Sequence, residues 1–212
     1  MNGKFFDVKV EKQERIINAA LMVFALNGYR KASTDVIVKE AGISKGLLFH
    51  YFNSKIGLYE FVSDYSVRYM NMEMTSSVSA RETDFFEIQR EIELIKTRIM
   101  KKYPYMQQFL STIKYEREPE AVKVSSKYRN ALSDLYRSLY QRADISRFHD
   151  YVNPDIVIRS IEWMSDGFIR ESFLDENPDI EEMSREFGRY LAMMRAALYR
   201  GGSVGVTRED FS

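Results

Sequence analysis

Thr34-Asp35-Val36-Ile37-Val38-Lys39-Glu40-Ala41-Gly42-Ile43-Ser44-Lys45-Gly46-Leu47-Leu48-Phe49-His50-Tyr51-Phe52 reads as two short helices meeting at a tight corner. Ser33-Thr34-Asp35 supplies capping residues for the first helix, and Ser44 supplies one for the second. Gly42 suits the sharp turn between them, because a residue without Cβ accepts a left-handed backbone. Ile37, Ala41, Ile43 and Leu48 have the spacing to pack the two helices together. This is a helix-turn-helix pattern, whose second helix enters the DNA major groove. The same spacing also suits a plain corner between helices with no ligand.

Working outward, a helix is expected from about Lys12 to Asn27, with Ile17, Leu21 and Phe24 on one face and Gly28 at its end. Asn53-Ser54 caps a long fourth helix to about residue 75, and the small polar run Ser76–Thr83 reads as a loop. Pro104, Pro119, Pro154 and Pro178 each stand where a helix can begin. They imply helices at about 84–102, 104–116, 119–145, 154–175 and 179–200, about nine in all. No strand alternation is visible, so the fold class is all-α. The expected organisation is a DNA-binding domain at 9–56, a second helical domain at 57–200 and a flexible tail at 201–212.

Composition narrows the function. The chain has 212 residues, 45% hydrophobic and 29% charged, as in a folded globular protein. It has no cysteine and two histidines, His50 and His149, which argues against disulfide, thiolate and multi-histidine metal chemistry. No Glu-x-x-His pair and no Walker loop occurs, so neither catalysis nor a metal or other cofactor is expected. Lys+Arg equals Asp+Glu at 31 each. Residues 1–60 nevertheless hold nine basic and six acidic side chains, a balance compatible with a nucleic-acid contact. The longest uncharged run, Ile16–Tyr29, is short of the roughly 20 residues that span a bilayer. No signal peptide is evident, and a cytoplasmic location is expected.

Residues 12 to 58 resemble the DNA-binding domain of the TetR family of transcriptional regulators. The resemblance rests on Arg15-Ile16-Ile17-x-Ala19-Ala20, Phe24, Asn27-Gly28-Tyr29, Ser33-Thr34 with Ile37, Ala41-Gly42-Ile43-Ser44-Lys45-Gly46, Phe49-His50-Tyr51-Phe52, Lys55 and Leu58-Tyr59. It implies an N-terminal three-helix helix-turn-helix domain and a C-terminal bundle for ligand binding and dimerisation. It also implies roles. Thr34 opens the second helix, where its hydroxyl and the nearby amides can meet a phosphate, and Ser33 and Ser44 belong to the same DNA-binding set. Lys45 points at the groove, and Gly46 permits close approach. His50, Tyr51 and Lys55 are expected on the DNA backbone, and Leu47 at a base edge. Three positions depart from the family pattern. Leu47 stands where Thr or Ser is common, and can touch only a thymine methyl. Phe49 stands where Tyr is common, and Val38 where Ala is common. Leu48 and Phe52 are assigned to the core, with Phe49 open.

The family's second domain usually holds a small effector. Phe109, Tyr128, Trp163 and Phe168 are the candidate pocket residues, suited to a partly apolar ligand, with ordinary core packing as the alternative reading. Ile180, Met183, Phe187, Tyr190, Met194 and Leu198 form one stripe, and the helix from Pro154 is apolar on more than one side. By the resemblance, these last two helices form a homodimer interface. The resulting expectation is a dimeric, effector-released repressor acting on a roughly palindromic double-stranded operator, with no membrane partner. An architectural helical dimer without a specific site is the alternative.

Overall fold

The computed structural model describes residues 5–174 and 178–201. Nine α-helices occur among them: α1 (Val10–Lys31), α2 (Thr34–Ala41), α3 (Lys45–Phe52), α4 (Lys55–Ser77), α5 (Phe85–Lys102), α6 (Met106–Tyr115), α7 (Pro119–Tyr140), α8 (Pro154–Ser172) and α9 (Ile180–Leu198). A short 3-10 turn covers Ile145–Arg147. Extended pairing among the described residues is confined to one bridge, Phe148 with Tyr199. None of these helices is long and apolar enough to cross a membrane. The expected flexible tail, apart from Gly201, lies outside the described residues.

Local chemistry explains most helix ends. Pro154 opens α8 behind Asn153, whose side chain accepts from the Asp155 amide at 2.9 Å. Asp179 caps α9 by accepting from the amides of Glu181 and Glu182. Three ends differ from the sequence expectation. In α1 the backbone leaves helical geometry at Gly28 (φ 65, ψ 172) and then resumes for one more turn. The helix expected from Pro104 starts at Met106, because the Met106 amide donates to Tyr103 and closes a turn there. The helix expected to reach residue 145 stops at Tyr140. Beyond it, Asp144 donates its amide to Thr83, and Arg142 bonds the carbonyls of Ser79 and Glu82.

The helices group into two compact units that interleave along the chain. One holds the described residues up to Glu73 together with Ile99–Leu135; the other holds Met74–Arg98 and the described residues from Tyr136 onward. The sequence boundary at residues 56 and 57 coincides with no edge of either unit. In the first unit α1 packs on α2 and α6. Phe24 is fully buried, with its ring edge-on to Tyr59 at 5.1 Å and near Phe109 at 6.2 Å.

The second unit is built on Phe85, Phe86, Phe148, Val157, Ile161, Phe187, Leu191 and Tyr199. Its apolar core surrounds one buried carboxylate. Asp84 caps α5 by accepting from the amides of Phe86 and Glu87. It also accepts from the Tyr199 hydroxyl at 3.1 Å, from Arg195 at 2.8 Å, and from Arg147. A second polar chain runs through the interior. Lys96 donates to Glu93 at 2.8 Å and to Ser165 at 3.2 Å, and Gln89 links Glu93 to the Tyr140 hydroxyl. Burial alone would lower the pKa of the Lys96 ammonium, but Glu93, Tyr136 and Asp166 more than offset it and keep it charged.

Asp84→Ala is expected to lower the stability of the second unit by about 1–3 kcal/mol, readable as a lower Tm. The loss stays below the roughly 3–5 kcal/mol of a broken, wholly buried pair, because Arg147 and Arg195 keep part of their hydration. An unchanged Tm would mean that the carboxylate holds nothing together.

Candidate nucleic-acid interface

The corner between α2 and α3 has the geometry its residues require. Gly42 takes a left-handed backbone (φ 63, ψ 42), and its amide turns back to Lys39. Ile37, Ala41 and Leu48 are buried at the junction, while Ile43 is half-buried. The Ser44 hydroxyl accepts from the Leu47 amide at 3.2 Å and starts α3. Ser33 also caps a helix, but its side chain makes no capping bond to the first-turn amides of α2.

Of the residues expected to face DNA, Ser44, Lys45, Gly46 and His50 are exposed, and Ser33, Thr34 and Leu47 are half-buried. They share one stretch of surface chain. A Cβ built on Gly46 would meet nothing within 4 Å, so no packing inside the chain calls for glycine there. Lys45 is held by Asp35 of α2 at 2.8 Å, with both side chains largely exposed. Such a surface pair is worth about 0–1 kcal/mol, which orients the lysine without withdrawing it from another anion.

Tyr51 and Lys55 are placed differently from the rest. Tyr51 is only 9% exposed, and its ring packs edge-on against Phe5 at 5.6 Å. Lys55 donates to the carbonyl of Arg30 at 3.2 Å and lies 4.7 Å from the Tyr29 ring centre. It therefore ties the start of α4 to the end of α1. Burial lowers the Lys55 pKa, and Glu120, Glu118 and Glu116 partly restore it. Tyr29 donates its amide to Glu116 and its hydroxyl to Glu120, at 3.1 and 2.7 Å. Burial, aided by Glu120, pushes the Tyr29 hydroxyl pKa up.

Two supports of α3 were not read from the sequence. The first is Phe5, 1% exposed, whose ring lies 5.0 Å from Phe52 and 4.9 Å from Phe61. A Phe-Phe pair in an otherwise polar leader is the signal that could have marked it. The second is Gly57, where an added Cβ would lie 2.1 Å from the Phe52 carbonyl oxygen. A glycine inside the first turn of a helix is a sign of close backbone approach.

The four candidate pocket residues are divided between the two units, Phe109 and Tyr128 in the first and Trp163 and Phe168 in the second. Phe109 is a fully buried core ring against Phe24 and Tyr59. Tyr128 lines a cavity of about 440 Å³ in the first unit. In the second unit Phe168 packs on Phe187 and Tyr190, whereas Trp163 is 62% exposed on α8. Trp163, also one of the residues that make the helix from Pro154 apolar on more than one side, faces outward in the single chain.

The geometry is that of a helix-turn-helix protein of the all-helical type. Comparison with known proteins makes this specific. Residues 16–62 match the family described as bacterial regulatory proteins, tetR family. Over 52 residues the chain is 38% identical to the HTH-type transcriptional regulator SrpR of Pseudomonas putida, covering 24% of each protein. Over 48 residues it is 44% identical to UidR of Escherichia coli K12, covering 23% of this chain and 24% of UidR. These matches span about a quarter of the relatives' length.

The fold match is wider. A TetR family regulator from Chloroflexus aurantiacus superposes with a TM-score of 0.68 at 18% identity, over 94% of this chain and 98% of its own. SmeT, the repressor of a multidrug efflux pump of Stenotrophomonas maltophilia, gives 0.59 at 15% identity, over 96% of both chains. Residues 16–62 are thus similar to the tetR family of bacterial regulatory proteins, and the chain shares the fold of TetR family regulators.

Gly57→Ala is expected to cost about 1–3 kcal/mol, because backbone rather than a flexible side chain blocks the new methyl. Gly46→Ala should leave Tm nearly unchanged. Equal losses from the two would contradict the close approach at Gly57.

Proposed function

We propose that this protein is a sequence-specific DNA-binding transcriptional regulator. It acts in the cytoplasm as a dimeric repressor and leaves its operator when a small-molecule effector binds its C-terminal domain. The observation that carries this reading is the exposed face of α3, with Lys45, Gly46 and His50 outward on a helix whose other side is buried. In this reading Ser33, Thr34, Ser44 and His50 meet phosphates, Lys45 reaches a phosphate at the edge of the groove it points into, and Leu47 touches a base edge. Tyr51 and Lys55, both engaged within the chain, act at the rim and hold α3 in position. Phosphate contacts set affinity and register, and base contacts set preference.

Dimerisation is supported by Ile156 and Trp163 on α8 and Met193 on α9, all large apolar side chains at least half exposed in the single chain. A second copy would cover them, and a two-fold arrangement would match a roughly palindromic site. An effector could release DNA only by favouring a conformer in which the two recognition helices fit the grooves poorly.

A titration of the upstream region of the protein's own gene against random DNA, at several salt concentrations, tests the reading. Selective binding is expected; equal binding to both would favour the architectural alternative. Lys45→Ala should weaken binding to all sequences alike and reduce the salt slope by about one. Leu47→Ala should change preference at one base position more than overall affinity. Trp163→Glu is expected to shift the protein from dimer to monomer in sedimentation, and an unchanged dimer would remove α8 from the interface.

A further inference from the structure

We propose that the cavity of about 440 Å³ beside the end of α3 is a binding site for a small aromatic ammonium compound. Its lining lies wholly in the first unit and includes Tyr128, one of the candidate effector-pocket residues, so the inference rests on the effector reading above and names the ligand class of that site. Its volume lies in the range of roughly 300–1,000 Å³ typical of small-molecule pockets. Its walls come from Phe5 and Phe6, from Tyr51 and Phe52 at the end of α3, and from α4 and α7. An adjoining hollow of about 350 Å³ shares Phe6, Phe61, Asp64 and Arg68 with it and extends along α4.

Rings supply the apolar surface, and two carboxylates supply the charge. The protein's own side chains already show the chemistry. The Lys127 ammonium sits 4.8 Å from the Tyr128 ring centre and 2.7 Å from Glu60. One turn along α4, the Arg68 guanidinium pairs with Asp64 at 2.7 Å. In both pairs the cation is the more exposed partner. Arg68 is 79% exposed against 22% for Asp64, and Lys127 is 58% exposed against 49% for Glu60. Long, solvated cations gain little from such pairs and can swing away. Asp64 stays shielded on α4 beside the aromatic walls, with the half-exposed Glu60 one turn away. A ligand ammonium can then take the place of Lys127 between Glu60 and the Tyr128 ring, where the ring quadrupole and the carboxylate both favour a cation. Its aromatic body lies against Phe6 and Phe61. An anionic ligand would meet Glu60 and Asp64, and the two cations of the lining, Arg68 and Lys127, are the more exposed members of their pairs.

Calorimetric titration of the full chain with naphthylmethylammonium, naphthylmethanol and naphthylacetate tests the site. The ammonium compound is expected to bind about three- to fivefold more tightly than the alcohol, with the acetate weakest. Glu60→Gln should weaken the ammonium compound about three- to fivefold and leave the alcohol unchanged. Lys127→Ala should tighten the ammonium compound, because it removes the competing cation. That gain cannot come from damage to the fold. The proposal fails if no compound binds or if all three bind alike. It also fails if Glu60→Gln has no effect, or if Lys127→Ala leaves ammonium binding unchanged or weaker. Ammonium binding insensitive to both substitutions would place the ligand elsewhere.

Discussion

A helix of eight residues is too short to hold its shape in water, and α3 is that length. Everything the exposed face of α3 can do therefore depends on what grips its other face. Leu48 and Phe52 are buried beneath it, and α2 meets it across the Gly42 turn. Phe5 closes over its end from outside the helix-turn-helix. The absence of a side chain at Gly57 lets the Phe52 carbonyl come close to the start of α4. The helix is thus presented as one rigid part of a larger core, which is what a reader of groove geometry requires.

The charged residues around this core divide their work. Lys45 and Asp35 pair at the surface, where exchange with another anion costs little. Lys55 turns inward to the end of α1, and Tyr29 is held by two glutamates of the α6–α7 region. The resemblance to known regulators identified Lys55 as a DNA-backbone residue, while its contacts here are those of a strut. The second unit solves a related problem with Asp84, which collects donors from α5, α9 and the 3-10 turn at one buried point.

Much of the fold was legible because helix ends are local events. Asn153-Pro154 and Ser44 cap where their side chains reach the next amides, and Gly42 turns where a left-handed residue is needed. The misplaced ends, at Met106 and Tyr140, are set by hydrogen bonds to turns and to residues distant in the chain. Spacing alone carries no trace of such partners.

The amino-acid sequence by itself determined the all-helical class and the helix-turn-helix, because both follow from periodicity, capping and a short motif; the residues expected to face DNA came from the resemblance, and of those on α3 Tyr51 is buried. Only the tertiary structure decided what holds α3, which way Lys55 and Trp163 point, and where a cavity opens. Those outcomes rest on contacts between segments far apart in the chain, such as Phe5 on Phe61 and Lys127 on Glu60. Periodicity tells which side of a helix is apolar; it does not tell which neighbour, core or solvent that side will meet.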